Sequence, residues 1–327
     1  MLDFWGGGVE RAEFFNINNM ESIMKKSILA VAVAGLAVCA YAKTVTLGTD
    51  SLNYVIENPI NWVDGNAPEI GDDVIINKKI WGAWICGIGS TESSKTSENW
   101  NIKSFTVNET LGEVNMKFAG EFQLNRNPSP VFTVTDSVAI NSNSSFINNT
   151  GHKEFVMNLG ATTVSSGIKF SMVDGGDAQD SDGNVVESIF KDINISSLDL
   201  GTNAQFLFES VNVNIDKATL ANGAKISAKL ASLDAADFGE ITVADGATAS
   251  LVLDFFDADS LSAGTYDLIT IAGNGTLEVS FASDFQNISG AWNGNTYQLT
   301  VAVPEPATVA AILGALALGL AVYRRRK

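Results

Sequence analysis

Histidine, cysteine and arginine are nearly missing from this chain. Its 327 residues include one histidine, His152, and two cysteines, Cys39 and Cys86. A zinc centre draws its ligands from several Cys, His or acidic side chains, and a nucleophilic triad needs a positioned base. One His in a polar Gly-His-Lys-Glu stretch supplies neither. Phosphate loops, His-Glu-x-x-His helices and Gly-x-Ser-x-Gly elbows are also missing, which removes the commonest hydrolase and nucleotide-binding signatures. Between residues 43 and 305, Arg126 is the only arginine. That region holds 13 Lys and Arg against 33 Asp and Glu, a net charge of 13 − 33 = −20. Such a balance opposes nucleic acid and anionic lipid, whose binding needs a cationic footprint. It favours solubility and a weak attraction for divalent cations. Helical periodicity is scarce too, with only residues 231–238 hinting at a helix.

Long apolar runs occur at the two ends. Residues 1–23 read as an upstream extension, with Met24 the better start. Lys25 and Lys26 then form a positive leader, residues 28–38 an apolar segment, and Ala40-Tyr41-Ala42 a small-x-small cleavage site. Residues 24–42 are therefore expected to be a signal peptide cleaved after Ala42, leaving Lys43 as the new N-terminus. Val38 before Cys39 breaks the small-residue rule of a lipoprotein signal. Cys39 departs with the signal, so Cys86 in Trp-Ile-Cys-Gly-Ile has no disulfide partner and reads as a small buried hydrophobe.

At the other end, Pro304, Glu305 and Pro306 precede an apolar run, 309–323, and then Arg324, Arg325, Arg326 and Lys327. Fifteen residues make a helix of roughly 22 Å, short of the roughly 30 Å hydrocarbon core but extendable by snorkelling cations. The expectation is a transmembrane helix with its basic stop on the cytoplasmic side. Motif, apolar tail and basic stop together resemble the PEP-CTERM sorting signal of Gram-negative bacteria. The resemblance implies recognition of Pro304–Pro306 by an exosortase, a transient inner-membrane anchor, and delivery to the cell surface or an exopolysaccharide and biofilm matrix. An ordinary C-terminal anchor is the competing reading.

Residues 43–303 then form the exported domain, and 304–327 the sorting signal. The domain consists of short runs of Val, Ile, Thr and Phe bounded by Gly, Asn, Asp and Ser, such as 73–77, 102–107, 131–135, 206–208, 241–243 and 250–254. Several alternate polar and apolar, the period of a half-buried strand, so the fold class is all-β. A Gly-centred element recurs at Gly160, Gly201, Gly223 and Gly246, spaced 41, 22 and 23 residues. A period near 20 to 23 predicts a right-handed parallel β-helix, a solenoid whose coils bury their faces on one another. A β-sandwich is the alternative. Asn and Ser at the corners, as in 141–145 and 148–150, suit turns or Asn ladders.

Two flanks are expected to cap the coils. In 61–76, Asn61-Trp62 leads through Gly65, Pro68, Gly71 and Asp72 to an apolar strand. This resembles the opening of autotransporter-passenger-type surface solenoids, with Trp62 over the first coil and Pro68 and Gly71 forming the turn. In 263–303, the Gly264-Thr-Tyr266-Asp-Leu268-Ile269 start resembles the closing strands of such passengers. Trp81, Trp84 and Trp100 are a possible glycan-stacking platform or else core. The loop at 174–184, with Asp174, Asp177, Asp180 and Asp182, offers hard oxygen donors for a weak calcium site. It fails the EF-hand register, since Ala178 falls in the first position and Ile189 in the twelfth. No other cofactor is expected. The functional expectation is an exported structural or adhesive protein that is not an enzyme, with exosortase and extracellular polysaccharide as partners and no nucleic acid. The alternatives are a glycan-binding module, or a polysaccharide lyase or hydrolase using paired carboxylates.

Overall fold

The computed structural model describes residues 43–47, 61–77, 81–85, 100–108, 113–118, 131–148, 155–175, 189–234, 236–302 and 324, with backbone alone at 81–85, 113 and 115–118. The chain divides into two units, residues 1–42 and 43–327, and every described residue belongs to the second. The described part is all-β. Its strands are β1 Thr44–Leu47, β2 Asp73–Ile76, β3 Trp81–Ile85, β4 Trp100–Val107, β5 Glu113–Phe118, β6 Val131–Ile140, β7 Asn143–Asn148, β8 Val156–Val164, β9 Lys169–Asp174, β10 Phe190–Leu200, β11 Gln205–Ile215, β12 Lys217–Leu220, β13 Lys225–Leu230, β14 Ala236–Asp237, β15 Glu240–Val243, β16 Thr248–Phe255, β17 Gly264–Ala272, β18 Thr276–Phe281, β19 Ile288–Asn293 and β20 Thr296–Val301.

Pairing is parallel along two rows. One row runs β1, β2, β4, β6, β8, β10, β12, β15, β17. The other runs β3, β5, β7, β9, β11, β13, β16, β18. From β2 to β13 successive strands alternate between the rows, and each pairs within its row with the strand two places along. The long strands β10 and β11 bend and serve two faces. The first half of β10 pairs with the second half of β11, and the second half of β10 with β12. Side chains alternate inward and outward, as in β12, β13 and β16, so only one face of each strand is buried. The inward rows join in one apolar core. Its aromatics touch between neighbouring strands of a row: Trp100 stacks on Phe132 at 5.3 Å, Phe146 meets Phe170 at 5.1 Å, and Phe170 stacks on Phe206 at 5.5 Å.

The corners correct the repeat. Four equivalent turns are closed by bonds from Ile168 N to Ser165 O, Ala204 N to Gly201 O, Ala224 N to Ala221 O and Ala247 N to Ala244 O. Their third residues, Gly167, Asn203, Gly223 and Gly246, all have positive φ, at 73°, 57°, 73° and 70°. Gly223 and Gly246 are the expected corner glycines. Gly201 instead opens its turn, and Asn203 takes the left-handed position that Asn tolerates. Gly160 lies inside β8, where a Cβ would come within 2.4 Å of the Asp136 carbonyl oxygen. The true corner spacings are 36, 20 and 23 residues. Residues 231–238, the expected helix, hold only the short strand β14, and Leu233, Ala236 and Phe238 turn into the core.

Trp62 lies in the apolar core next to β1. It is 2% exposed and forms an antiparallel bridge to Leu47. Gly71 has φ 84° in a turn closed from Asp72 N to Glu69 O. At the other end parallel pairing gives way. β17 still runs parallel to β15, but β20 lies antiparallel between β17 and β19. Tyr297, on β20, packs its ring on Trp292 at 5.1 Å, and Gly290 leaves room for its hydroxyl. Burial pushes the Tyr297 phenol above its ordinary pKa near 10. The folded state therefore holds that proton more tightly than the unfolded state. The neutral phenol's contribution is complete below about pH 10 and is lost as pH rises through the folded pKa. Thermal melts across pH 9 to 12 are expected to show a downturn that Tyr297→Phe removes; the same downturn in that variant would assign it to other groups.

Candidate functional site

A groove of about 400 Å3 is lined by residues of β6, β8, β10 and β11 and by Asp216. One wall is a row of polar side chains brought into register by parallel pairing: Thr133 opposite Asn158, Asn158 opposite Asn194, and Asn194 opposite Asn214. The row is hydrogen-bonded from strand to strand. Asn194 Nδ2 donates to Asn158 Oδ1 at 2.9 Å, and Asn158 Nδ2 donates to Thr133 Oγ1 at 3.3 Å. Each amide carries two N–H donors and one acceptor oxygen, so this bond leaves one N–H of Asn158 and one of Asn194 available.

The hollow exists because the next row is small in the middle. Register places Gly160 and Ser196 side by side, with Asp216 beyond them. On the other side β6 carries a two-residue bulge at Thr135 and Asp136, opposite the single residue Gly160. A bulge re-aims a strand locally. Here its carbonyls fill the space over Gly160, and any side chain at 160 would strike them. The lining otherwise includes Val134, Leu159 and Ile195, and Asp216 is its only charged residue. A second hollow of about 280 Å3 is lined by Glu209, Lys225, Lys229 and Asp254, a mixture of both signs.

The residues singled out from sequence fall elsewhere. Trp100 corrects the proposed surface platform. It is 1% exposed with its ring stacked on Phe132, so its face belongs to the core. Trp81 and Trp84 lie on β3, and their side chains are outside the described residues. Asp174 ends β9, where its backbone N–H donates to Glu209 Oε2 at 3.0 Å. Asp177, Asp180 and Asp182 lie outside the described residues, as do Ala40, Ala42, Cys86, Arg126, His152, Pro304–Pro306, the apolar run and Arg325–Lys327. Arg324 is exposed. Among the described residues, no helix is long and apolar enough to cross a membrane, and no three His, Cys, Asp or Glu side chains are grouped to hold a metal.

Sequence reasoning missed the groove. Its wall residues are separated by 25, 36 and 20 positions, so no local motif announces them. The signal was the abundance of Asn in outward strand positions, which has meaning only once the register is known.

The last described strand, β20, ends one residue before the C-terminal motif begins. Val301 is buried and pairs with both Gly264 and Ile288, and the Ala302 N–H donates to Asn287 O at 2.8 Å. Ordered pairing is therefore described up to Ala302, two positions before Pro304 in the sequence. No curated protein and no solved structure matches the chain, so no relative stands behind the likeness of 61–76 and 263–303 to autotransporter passengers. One family model does match: residues 302–327 carry the PEP-CTERM protein-sorting motif, the mark of exported proteins that an exosortase recognises and that are membrane-anchored before processing.

Proposed function

We propose that this chain is a structural or adhesive protein of the cell surface or extracellular polysaccharide matrix. Its exported part is a right-handed parallel β-solenoid, capped by Trp62 at one end and by β17, β19 and β20 at the other. The sorting motif carries the reading, because it starts at the residue after the last described strand. Parallel pairing along the two rows supports the solenoid. A sandwich would require antiparallel partners throughout, and among the described strands antiparallel pairing is confined to β17, β19 and β20. The protein acts by presenting a rigid acidic surface to glycan or to neighbouring copies, without catalysis.

The other terminus supports maturation at Ala42. Lys43 backbone N lies 3.2 Å from Asp72 Oδ1, and Lys43 Nζ lies 3.0 Å from Glu69 and 3.7 Å from the buried Asp72 carboxylate. A chain cut after Ala42 would place a new ammonium against that carboxylate, and a charged hydrogen bond is roughly twice as strong as a neutral one.

Intact-mass and terminal-peptide mass spectrometry on protein from its native producer tests the reading. The expected chain begins at Lys43 and ends near Pro304. A mature chain that keeps Arg324–Lys327 would make the tail a permanent anchor, and the search for partners would move to the inner membrane.

A further inference from the structure

We infer that the groove along Thr133, Asn158, Asn194 and Asn214 binds one extended glycan chain carrying no negative charge, lying along the direction in which the coils stack. The inference rests on the reading of a protein exported into a polysaccharide matrix and names the part of it that touches the polysaccharide.

The geometry favours a repeating ligand. Adjacent strands are about 4.8 Å apart, so the four-residue row presents polar groups at a regular step over about 14 Å. That step is close to the length of one sugar ring in an extended chain. The amides of Asn158 and Asn194 each keep a free N–H beside their ladder bond, and Asn214 makes no side-chain hydrogen bond among the described residues. Sugar hydroxyls both donate and accept, as amides do. Val134, Leu159 and Ile195 turn their side chains into the core, so the groove floor between the polar side chains is strand backbone. The volume of about 400 Å3 falls within the roughly 300–1,000 Å3 of small-ligand sites.

Charge selects among glycans. The groove's only charged lining residue is Asp216, Asp136 stands on the bulge beside it, and no Lys or Arg lines it. A polyuronate would meet carboxylates and find no cation, and a like charge costs affinity. A peptide strand is disfavoured for a different reason. Strand addition uses unpaired backbone groups at a sheet edge, whereas β8 is paired on both sides by β6 and β10, and β10 by β8 and β11. The groove offers side-chain amides instead.

The test is a glycan array carrying neutral, amino-sugar and uronate oligosaccharides, probed with the full-length protein and followed by calorimetric titration of the best binder. Retention is expected on neutral or amino-sugar chains. Asn194→Ala is expected to weaken binding at least tenfold. Ser196→Phe plugs the groove from an exposed position and is expected to abolish binding, while Ser196→Ala leaves it intact; melting curves check that each variant folds. Three results would overturn the inference: no glycan retained, uronates alone retained, or affinity unchanged by Ser196→Phe. None of them bears on the termini seen by mass spectrometry, so this site and the sorting reading fail separately.

Discussion

Phe146→Ala is expected to lower the unfolding free energy by about 3–5 kcal/mol, the range for truncating a fully buried aromatic. Phe146 is completely buried on β7 and touches three aromatic rings edge-on: Phe105 at 5.6 Å, Phe132 at 5.8 Å and Phe170 at 5.1 Å. Such pairs add about 0.5–1.5 kcal/mol each beyond the area they bury. The three neighbours come from β4, β6 and β9, so a cavity at 146 weakens contacts between several strands at once. The loss falls on the strand contacts that Phe146 bridges. Urea denaturation compares it with Val63→Ala, whose parent side chain is 60% exposed and whose loss is expected to stay within about 0.5 kcal/mol. A Phe146→Ala loss under about 1 kcal/mol would mean that the aromatic contacts do not hold the strands together.

What could be read from the sequence was local. Alternation over 250–254 and 241–243 announced strands because one face of each is buried, and β16 and β15 are found there. Gly71 was legible because a positive-φ turn lies within a few residues. The sorting motif was legible for the same reason. The repeat was half legible: Gly223 and Gly246 occupy equivalent corners, but Asn203 fills the corner where a glycine was sought. Gly167 and Asn203 are 36 positions apart, against 20 and 23 for the next two corners, and that longer spacing hid the match to Gly167. Trp100 could not be assigned from sequence, since an aromatic on a strand faces core or solvent according to its register. The groove was illegible because it depends on side chains 25, 36 and 20 positions apart falling in line, and on a bulge that leaves no sequence signature.

The sorting motif and the fold make a joint prediction about where processing must cut. β20 is the middle strand of the closing sheet, held by β17 on one side and β19 on the other. Its inward residues Tyr297, Leu299 and Val301 are 5%, 0% and 3% exposed. Burying a large apolar side chain contributes about 1.5–3 kcal/mol, so removing these three withdraws an amount comparable to the whole net stability of about 5–15 kcal/mol of a typical domain. It also strips β19 of its only pairing among the described strands, leaving Ile288 without cover. Two truncations that both lack the apolar tail separate the consequences. A chain ending at Ala302 is expected to melt as the longer protein does, since every strand pairing is kept. A chain ending at Asn295 is expected to lose the closing sheet, seen as a lower melting temperature and rapid proteolysis beyond Phe255. Equal stability of the two would show that β20 is an ornament on the parallel rows and that the processing enzyme could cut upstream of it. A large difference means that a cut leaving a stable domain must fall after Ala302, beyond the closing strand.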